Sequence, residues 1–195
     1  SAPVASGYPV PSPSVIIGLM ERMVSERWPS GLEDLAGYFA RLGCVSGPSR
    51  EPDEGCPPGV ARGEFFVPGV AVTNASWSAL NSDLFTLTLF AYADSPPGNV
   101  DAGYDAIRTG LVDVFGPALD ERTDPHGNRS AVWLVQEAVV ELYAHLNLAP
   151  AVQAAVSHEG VRQISSGSSR NGPGTPGTPG IEWGRSTPVG ARAPR

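Results

Sequence analysis

The chain contains no lysine: all 13 of its basic residues are arginine. It has two cysteines and three histidines, and aromatic residues make up only 8% of its 195 positions. Each scarcity excludes something. Cys44 and Cys56 with three scattered histidines do not form a zinc-binding spacing. No run of about 18 apolar residues exists, so no transmembrane helix is expected. No GxSxG elbow, phosphate-cradling glycine loop, HExxH or CxxC occurs, and no set of residues fills the roles of nucleophile, base and stabiliser together. Neither a cofactor nor a metal site is expected. The Pro/Ser-rich opening has no basic stretch leading into an apolar one, so it does not read as a signal peptide. Reduced thiols and a cytoplasmic location are the expectation, although Cys44 and Cys56 flank a VSGPSREPDEG loop they could bridge under oxidising conditions. The chain begins at Ser1 rather than Met, which leaves its natural start open.

What the chain has in excess is glycine and proline, 23 and 20 residues. Much of that lies at the ends. Segments 1–13 and 165–195, the latter running through NGPGTPGTPG into STPVGARAPR, lack the apolar periodicity that offsets the entropy of ordering. They are expected to be disordered, which leaves one domain over 14–164, about 150 residues and long enough for a real core. Residues 1–165 carry 9 Arg against 19 Asp+Glu, a net of −10, and the stretch from Ser166 carries 4 Arg and Glu182, a net of +3. An acidic body repels phosphates, so nucleic acid is not an expected partner. The all-arginine, Ala/Gly/Pro/Val-rich composition suggests a GC-rich genome of actinobacterial type. On that composition the sequons at Asn74-Ala75-Ser76 and Asn128-Arg129-Ser130 are read as chance matches.

Apolar positions Ile16, Ile17, Met20, Met23, Val24 and Trp28 follow a helical repeat after a capping Ser14, with Pro29 as the stop. Ser30 and Glu33 have capping-box spacing, and Leu32, Leu35, Phe39 and Leu42 make one face before Gly43. Arg62–Val67 and Val70–Thr73 read as short strands around Pro68-Gly69. Asp83–Tyr92 is the cleanest strand, with Phe85, Leu87, Leu89 and Ala91 alternating against Thr86, Thr88, Phe90 and Tyr92. Val100, Tyr104, Ile107, Leu111, Val114 and Phe115 trace a central helix stopped by Gly116-Pro117, with Gly103 and Gly110 tolerated inside it for close packing on a sheet. Two or three strands follow over Ser130–Gly160. The fold class expected is α+β: an antiparallel sheet of about five to six strands, two N-terminal helices and one central helix.

Two of the three histidines, His145 and His158, lie in that last segment, so their geometry decides whether a metal or acid–base centre is feasible. Matching apolar faces across the Asn147-Leu148-Ala149 turn pairs Leu142 with Ala154 and Ala144 with Val152, setting His145 opposite Ala151. His158 then lies roughly 23 Å down the strand and on the other face. A shared site is excluded by that register. His126 sits in an Asp124-Pro125-His126-Gly127-Asn128 turn, which turn formation alone explains. A small hydrolase with an acid–base site near Asp124, His126 and Glu141 is the alternative reading. The stronger pattern is the non-core sheet face, where Thr86, Thr88, Phe90, Tyr92, Glu141, Tyr143 and His145 mix aromatic with polar groups as protein-binding surfaces do.

The segment GYDAIRTGLVDVFGPALDERTDPHGNRSAVWLVQEAVVELYAHLNLAPAVQAAVSHE sets a helix with a Phe-Gly-Pro stop before a tryptophan-bearing strand and an apolar VVELYAHLN strand. Over about residues 15–162 this layout resembles a family of uncharacterised small actinobacterial α+β proteins that are immunity-protein-like. The resemblance implies a small cytoplasmic binding protein paired with a secreted toxin or effector, and it brings no catalytic residues. The function expected is a non-enzymatic protein-interaction module, either an immunity protein or a secretion-chaperone-like partner, bound to another protein and to neither nucleic acid nor membrane.

Overall fold

A computed structural model describes residues 11–72, 74–93 and 95–158; the expected disordered ends fall on residues that lie, apart from 11–13, outside it. Among the described residues the element order is α1 (Pro13–Ser25), a 3-10 turn (Leu32–Asp34), α2 (Leu35–Arg41), β1 (Val45–Arg50), β2 (Val60–Phe66), β3 (Asn74–Leu80), β4 (Asp83–Ala91), α3 (Pro97–Phe115), β5 (Asp120–Thr123), β6 (Arg129–Val135), β7 (Ala138–His145) and β8 (Ala151–His158). The class is α+β, and all neighbouring strands are antiparallel. The sheet order β1-β2-β3-β4-β8-β7-β6-β5 describes two four-stranded meanders joined through α3, with β4 and β8 meeting at the centre.

The strand number differs from expectation: eight, not five to six. β1 and β5 are exposed edge strands, so neither shows apolar alternation, and both fall in stretches that read as loop. β3 alternates small residues, burying Ala75, Trp77 and Ala79 between Asn74, Ser76 and Ser78, a pattern too weakly apolar to stand out. The expected strand at Val70–Thr73 is absent over its described residues, Val70–Val72. β3 and β4 join through Asn81-Ser82, both at positive φ (49° and 69°), the primed hairpin turn whose twist suits the strands.

The pair of N-terminal helices is also reduced, to one full helix and one short one of seven residues. α1 starts on Pro13, whose missing N–H costs nothing at that position, and ends at Ser25 rather than Pro29. Trp28 leaves the helix because its indole N–H donates to the Leu84 carbonyl at 2.9 Å. The Ser30–Glu33 capping box does not form; the Ser30 hydroxyl bonds to the Asp34 carboxylate instead. The stop at Gly43 is as expected. At φ 72° it allows the Schellman closure, Cys44 N–H to Phe39 O at 2.8 Å and Gly43 N–H to Ala40 O at 3.0 Å.

The core is a single cluster between the helices and one face of the sheet. Ile16, Met20, Phe39, Tyr104, Ile107 and Leu111 pack from the helices onto Trp77, Leu87, Leu89, Trp133, Val140, Leu142 and Val156 from the strands. Gly103 and Gly110 have a packing reason, but their neighbours are not sheet backbone. A Cβ on Gly103 would collide with the Tyr92 ring, and one on Gly110 with the end of the Ile17 side chain. These differ in give. Tyr92 is buried and tethered by its hydroxyl to the Pro11 carbonyl at 2.6 Å, whereas Ile17 is half-buried and can rotate. Gly103→Ala is therefore expected to lower stability by about 1–2 kcal/mol, overpacking outweighing the helix-propensity gain of about 1 kcal/mol. Gly110→Ala is expected to be near neutral. Urea melts of both variants check this, and equal shifts of the same sign would refute the contrast.

Candidate functional site

With the helices on one side, the opposite sheet face carries the side chains that alternate with the core. The register sets them in rows. Thr88, Ala155 and Glu141 share one rung, and Phe90, Gln153 and Tyr143 the next. A concavity of about 650 Å³ lies on this face, lined by Thr86 and Thr88 of β4, Gln153 and Ala155 of β8, Glu141, Tyr143 and His145 of β7, and Arg122, Thr123, Asp124 and Asn128 of the β5–β6 hairpin. Its floor is made of small buried side chains, Ala155 with Ser157 beside it, and its walls of larger ones, half-buried on β4 and β7 and exposed at Arg122, Thr123 and Asp124. Six of the seven sequence-selected residues, Thr86, Thr88, Phe90, Glu141, Tyr143 and His145, share this face.

Tyr92 does not. β4 ends at Ala91, and Tyr92 takes a left-handed conformation (φ 65°) that turns it into the helix layer, where its hydroxyl reaches Pro11. A strict two-residue alternation places it on the outer face; the chain leaves the strand one residue too early. The same strand carries a register shift opposite Ser78/Ala79, which puts Leu84 in the core in place of Phe85.

The face is internally tied. The His145 ring stacks on Tyr143 at 5.9 Å between centroids, and its Nε2 lies 2.8 Å from Gln153 Oε1. The Ser157 hydroxyl donates to Thr86 Oγ1 at 3.2 Å. His158 lies on the other face, against Trp28 at 5.6 Å and 3.2 Å from the Glu137 carboxylate. The hairpin register is the expected one, with Leu142 opposite Ala154, Ala144 opposite Val152 and His145 opposite Ala151. The two histidines therefore do not meet. No group of three or more His, Cys, Asp or Glu that could hold a metal ion occurs among the described residues. Cys44 and Cys56 are free, and burial raises the Cys44 thiol above its ordinary pKa.

The Asp124–Asn128 turn is built by its own first residue. Asp124 Oδ1 accepts the main-chain N–H groups of His126 and Asn128, and Oδ2 accepts the Asn128 side-chain amide, each at 2.9 Å. The Asn128 amide, then the two main-chain donors, hold the Asp124 carboxyl below its usual range. Asn128 Oδ1 accepts the Leu146 N–H at 2.8 Å, which locks this turn to the β7–β8 turn. Asp124 and Glu141 line the concavity, whereas His126 is exposed and is not part of the lining. Asp124 thus works as a turn former, and the triad Asp124, His126 and Glu141 is not assembled around one cavity.

Sequence reasoning missed Gln153, Ala155 and Ser157 as site residues. The signal was present, since they alternate with Val152, Ala154 and Val156, but a strand of small residues reads as filler. Arg122, Thr123 and Asn128 were missed as well, because the stretch around them reads as loop; Asp124 beside them was named only for acid–base chemistry.

At the rim, Leu148 is fully exposed at the tip of the β7–β8 turn and holds φ 58°. A left-handed conformation costs a non-glycine residue about 1–2 kcal/mol. Leu148→Gly is expected to raise stability by about 1 kcal/mol, as read by thermal or urea unfolding. An unchanged or lower midpoint would mean the turn is not strained there.

The fold and the face define an α+β protein with a helix-covered side and an open, cupped side. No protein-family model, curated protein or solved structure matches the chain. No helix among the described residues is long and apolar enough to cross a membrane.

Proposed function

We propose that the protein is a non-enzymatic interaction module that receives a segment of a partner protein on the open sheet face, as an immunity protein or secretion-chaperone-like partner of a toxin or effector. The supporting observation is the one-sided architecture: α1, α2 and α3 all serve one face, and the other offers half-buried Phe90, Tyr143 and His145 among the polar side chains of Thr86, Thr88, Glu141 and Gln153. Aromatic groups supply contact area at low entropic cost, and the polar groups fix register. A net charge of −7 favours a partner with a basic surface over a phosphate-bearing ligand. The cytoplasm of an actinobacterial cell is the setting this reading implies.

Photo-crosslinking in the source cells tests it. A benzophenone residue in place of Thr88 or Gln153 is expected to capture one defined protein, and the same residue in place of Glu21, on the exposed side of α1, is not. Equal labelling from all three positions would overturn the reading. So would purified protein that hydrolyses an ester or phosphodiester and loses that activity on His126→Ala.

A further inference from the structure

We infer that the chain's own segment Ile181-Glu182-Trp183 occupies the cupped sheet face in cis and competes there with the partner. The inference rests on the interaction reading above and names a regulation of that same site. The chain leaves the sheet at His158, at the end of the central strand whose Gln153 and Ala155 form the floor of the concavity. Ser157, the residue before it, is bonded to Thr86 on the lining. The exit point is therefore at the site itself.

About 23 residues connect His158 to Ile181, enough to span at most roughly 80 Å fully extended. An eight-residue strand covers only about 26 Å, so any point on the face is in reach. Within 159–195 the one aromatic residue is Trp183, set with Ile181 between Gly180 and Gly184 in a stretch of Gly, Pro, Ser and Thr. An isolated apolar pair of this kind is what an aromatic-bearing concavity can select. The body as a whole attracts the tail, with a net of −10 for residues 1–165 against +3 for the stretch from Ser166, while the lining itself balances Arg122 and Arg129 against Asp124 and Glu141. Tethering supplies the rest. An effective concentration in the millimolar range means that a contact with a Kd of about 1 mM is already half occupied. A face that is nine-tenths occupied in cis weakens partner affinity about tenfold.

Full-length protein labelled with 5-fluorotryptophan tests this through its four tryptophan resonances, Trp183 being assigned by Trp183→Phe. The Trp183 resonance is expected away from the free-tryptophan position, independent of protein concentration between about 10 μM and about 1 mM. Tyr143→Ala, or Gln153→Arg should that variant fail to fold, is expected to return it to the free position. A Trp183 resonance already at the free position, or unmoved by either substitution, overturns the inference. Concentration dependence also overturns it, since that signals docking onto a second copy. The two readings fail separately. A free Trp183 with face-specific crosslinks intact removes only the cis occupant, whereas a docked Trp183 without such crosslinks removes only the partner.

Discussion

Between pH 10 and pH 12 the protein is expected to unfold in one cooperative step, driven by tyrosines that cannot ionise in place. Burial pushes the phenols of Tyr92 and Tyr104 up to about 12 from an ordinary 10. At Tyr104 the Arg129 guanidinium, 4.5 Å above the ring, offsets part of that rise. Tyr38, whose hydroxyl donates to the Met23 carbonyl at 2.8 Å, is raised further by the same cause. The sign follows from linkage. A folded-state pKa above the unfolded value leaves stability intact below pH 10, where both states are protonated. As pH rises further, the unfolded chain loses protons that the folded one retains. Each such shift is worth roughly 2 kcal/mol by pH 12, so Tyr92 and Tyr104 together remove roughly 4 kcal/mol. That approaches the whole stability of a typical domain, about 5–15 kcal/mol. Phenolate absorbance and far-UV circular dichroism should change together over this window. Ionisation of all five tyrosines near pH 10 with the dichroism retained would show these hydroxyls to be accessible.

Tyr92 also marks where the sequence stops being readable. Its place in an alternating strand predicts an outward side chain, and nothing local announces that β4 ends one residue before it. What turns it inward is distant: Pro11 as acceptor and Gly103 as the gap for the ring. Elements that bury large residues on one side, such as β4, β7 and α3, were legible because period and hydropathy coincide there. Edge strands β1 and β5 were not, since an exposed strand has no buried side to pattern. β3 was hidden by a different cause, its core positions being two alanines around Trp77. The Ser30–Glu33 pair shows that spacing alone does not make a cap, because Asp34 competes for the same hydroxyl.

The candidate site divides the same way. The β7–β8 register follows from apolar matching within one hairpin, so the separation of His145 from His158 is legible in the sequence alone. The juxtaposition of β4 with β8 is not, because it closes a long connection through α3, and periodicity says nothing about which strands meet across it. That single pairing brings Thr86 and Thr88 to Gln153 and Ala155 and makes the concavity. The polar row on β7 was visible as a surface. Its depth depended on strands that read as loop.

Trp133→Ala is expected to lower stability by about 3–5 kcal/mol, the cost of truncating a fully buried large aromatic. Trp133 is 1% exposed and sits on β6, where its indole N–H donates to the Gly116 carbonyl at 2.9 Å. Gly116 caps α3 at φ 88°, a conformation that favours glycine, so Trp133 pins the helix end to the strand. Trp133→Phe separates the two contributions. It keeps most of the volume and leaves the carbonyl without its donor, for an expected loss of about 1–3 kcal/mol. The consequence reaches the open face, because β6 pairs with both β5 and β7 and carries the Arg122–Asn128 wall. Trp133→Phe should therefore increase amide exchange in β5 and β6 before it does so in β4 and β8. Urea melts with site-resolved hydrogen exchange check both parts. Uniform exchange across the sheet would mean that the wall is held independently of α3.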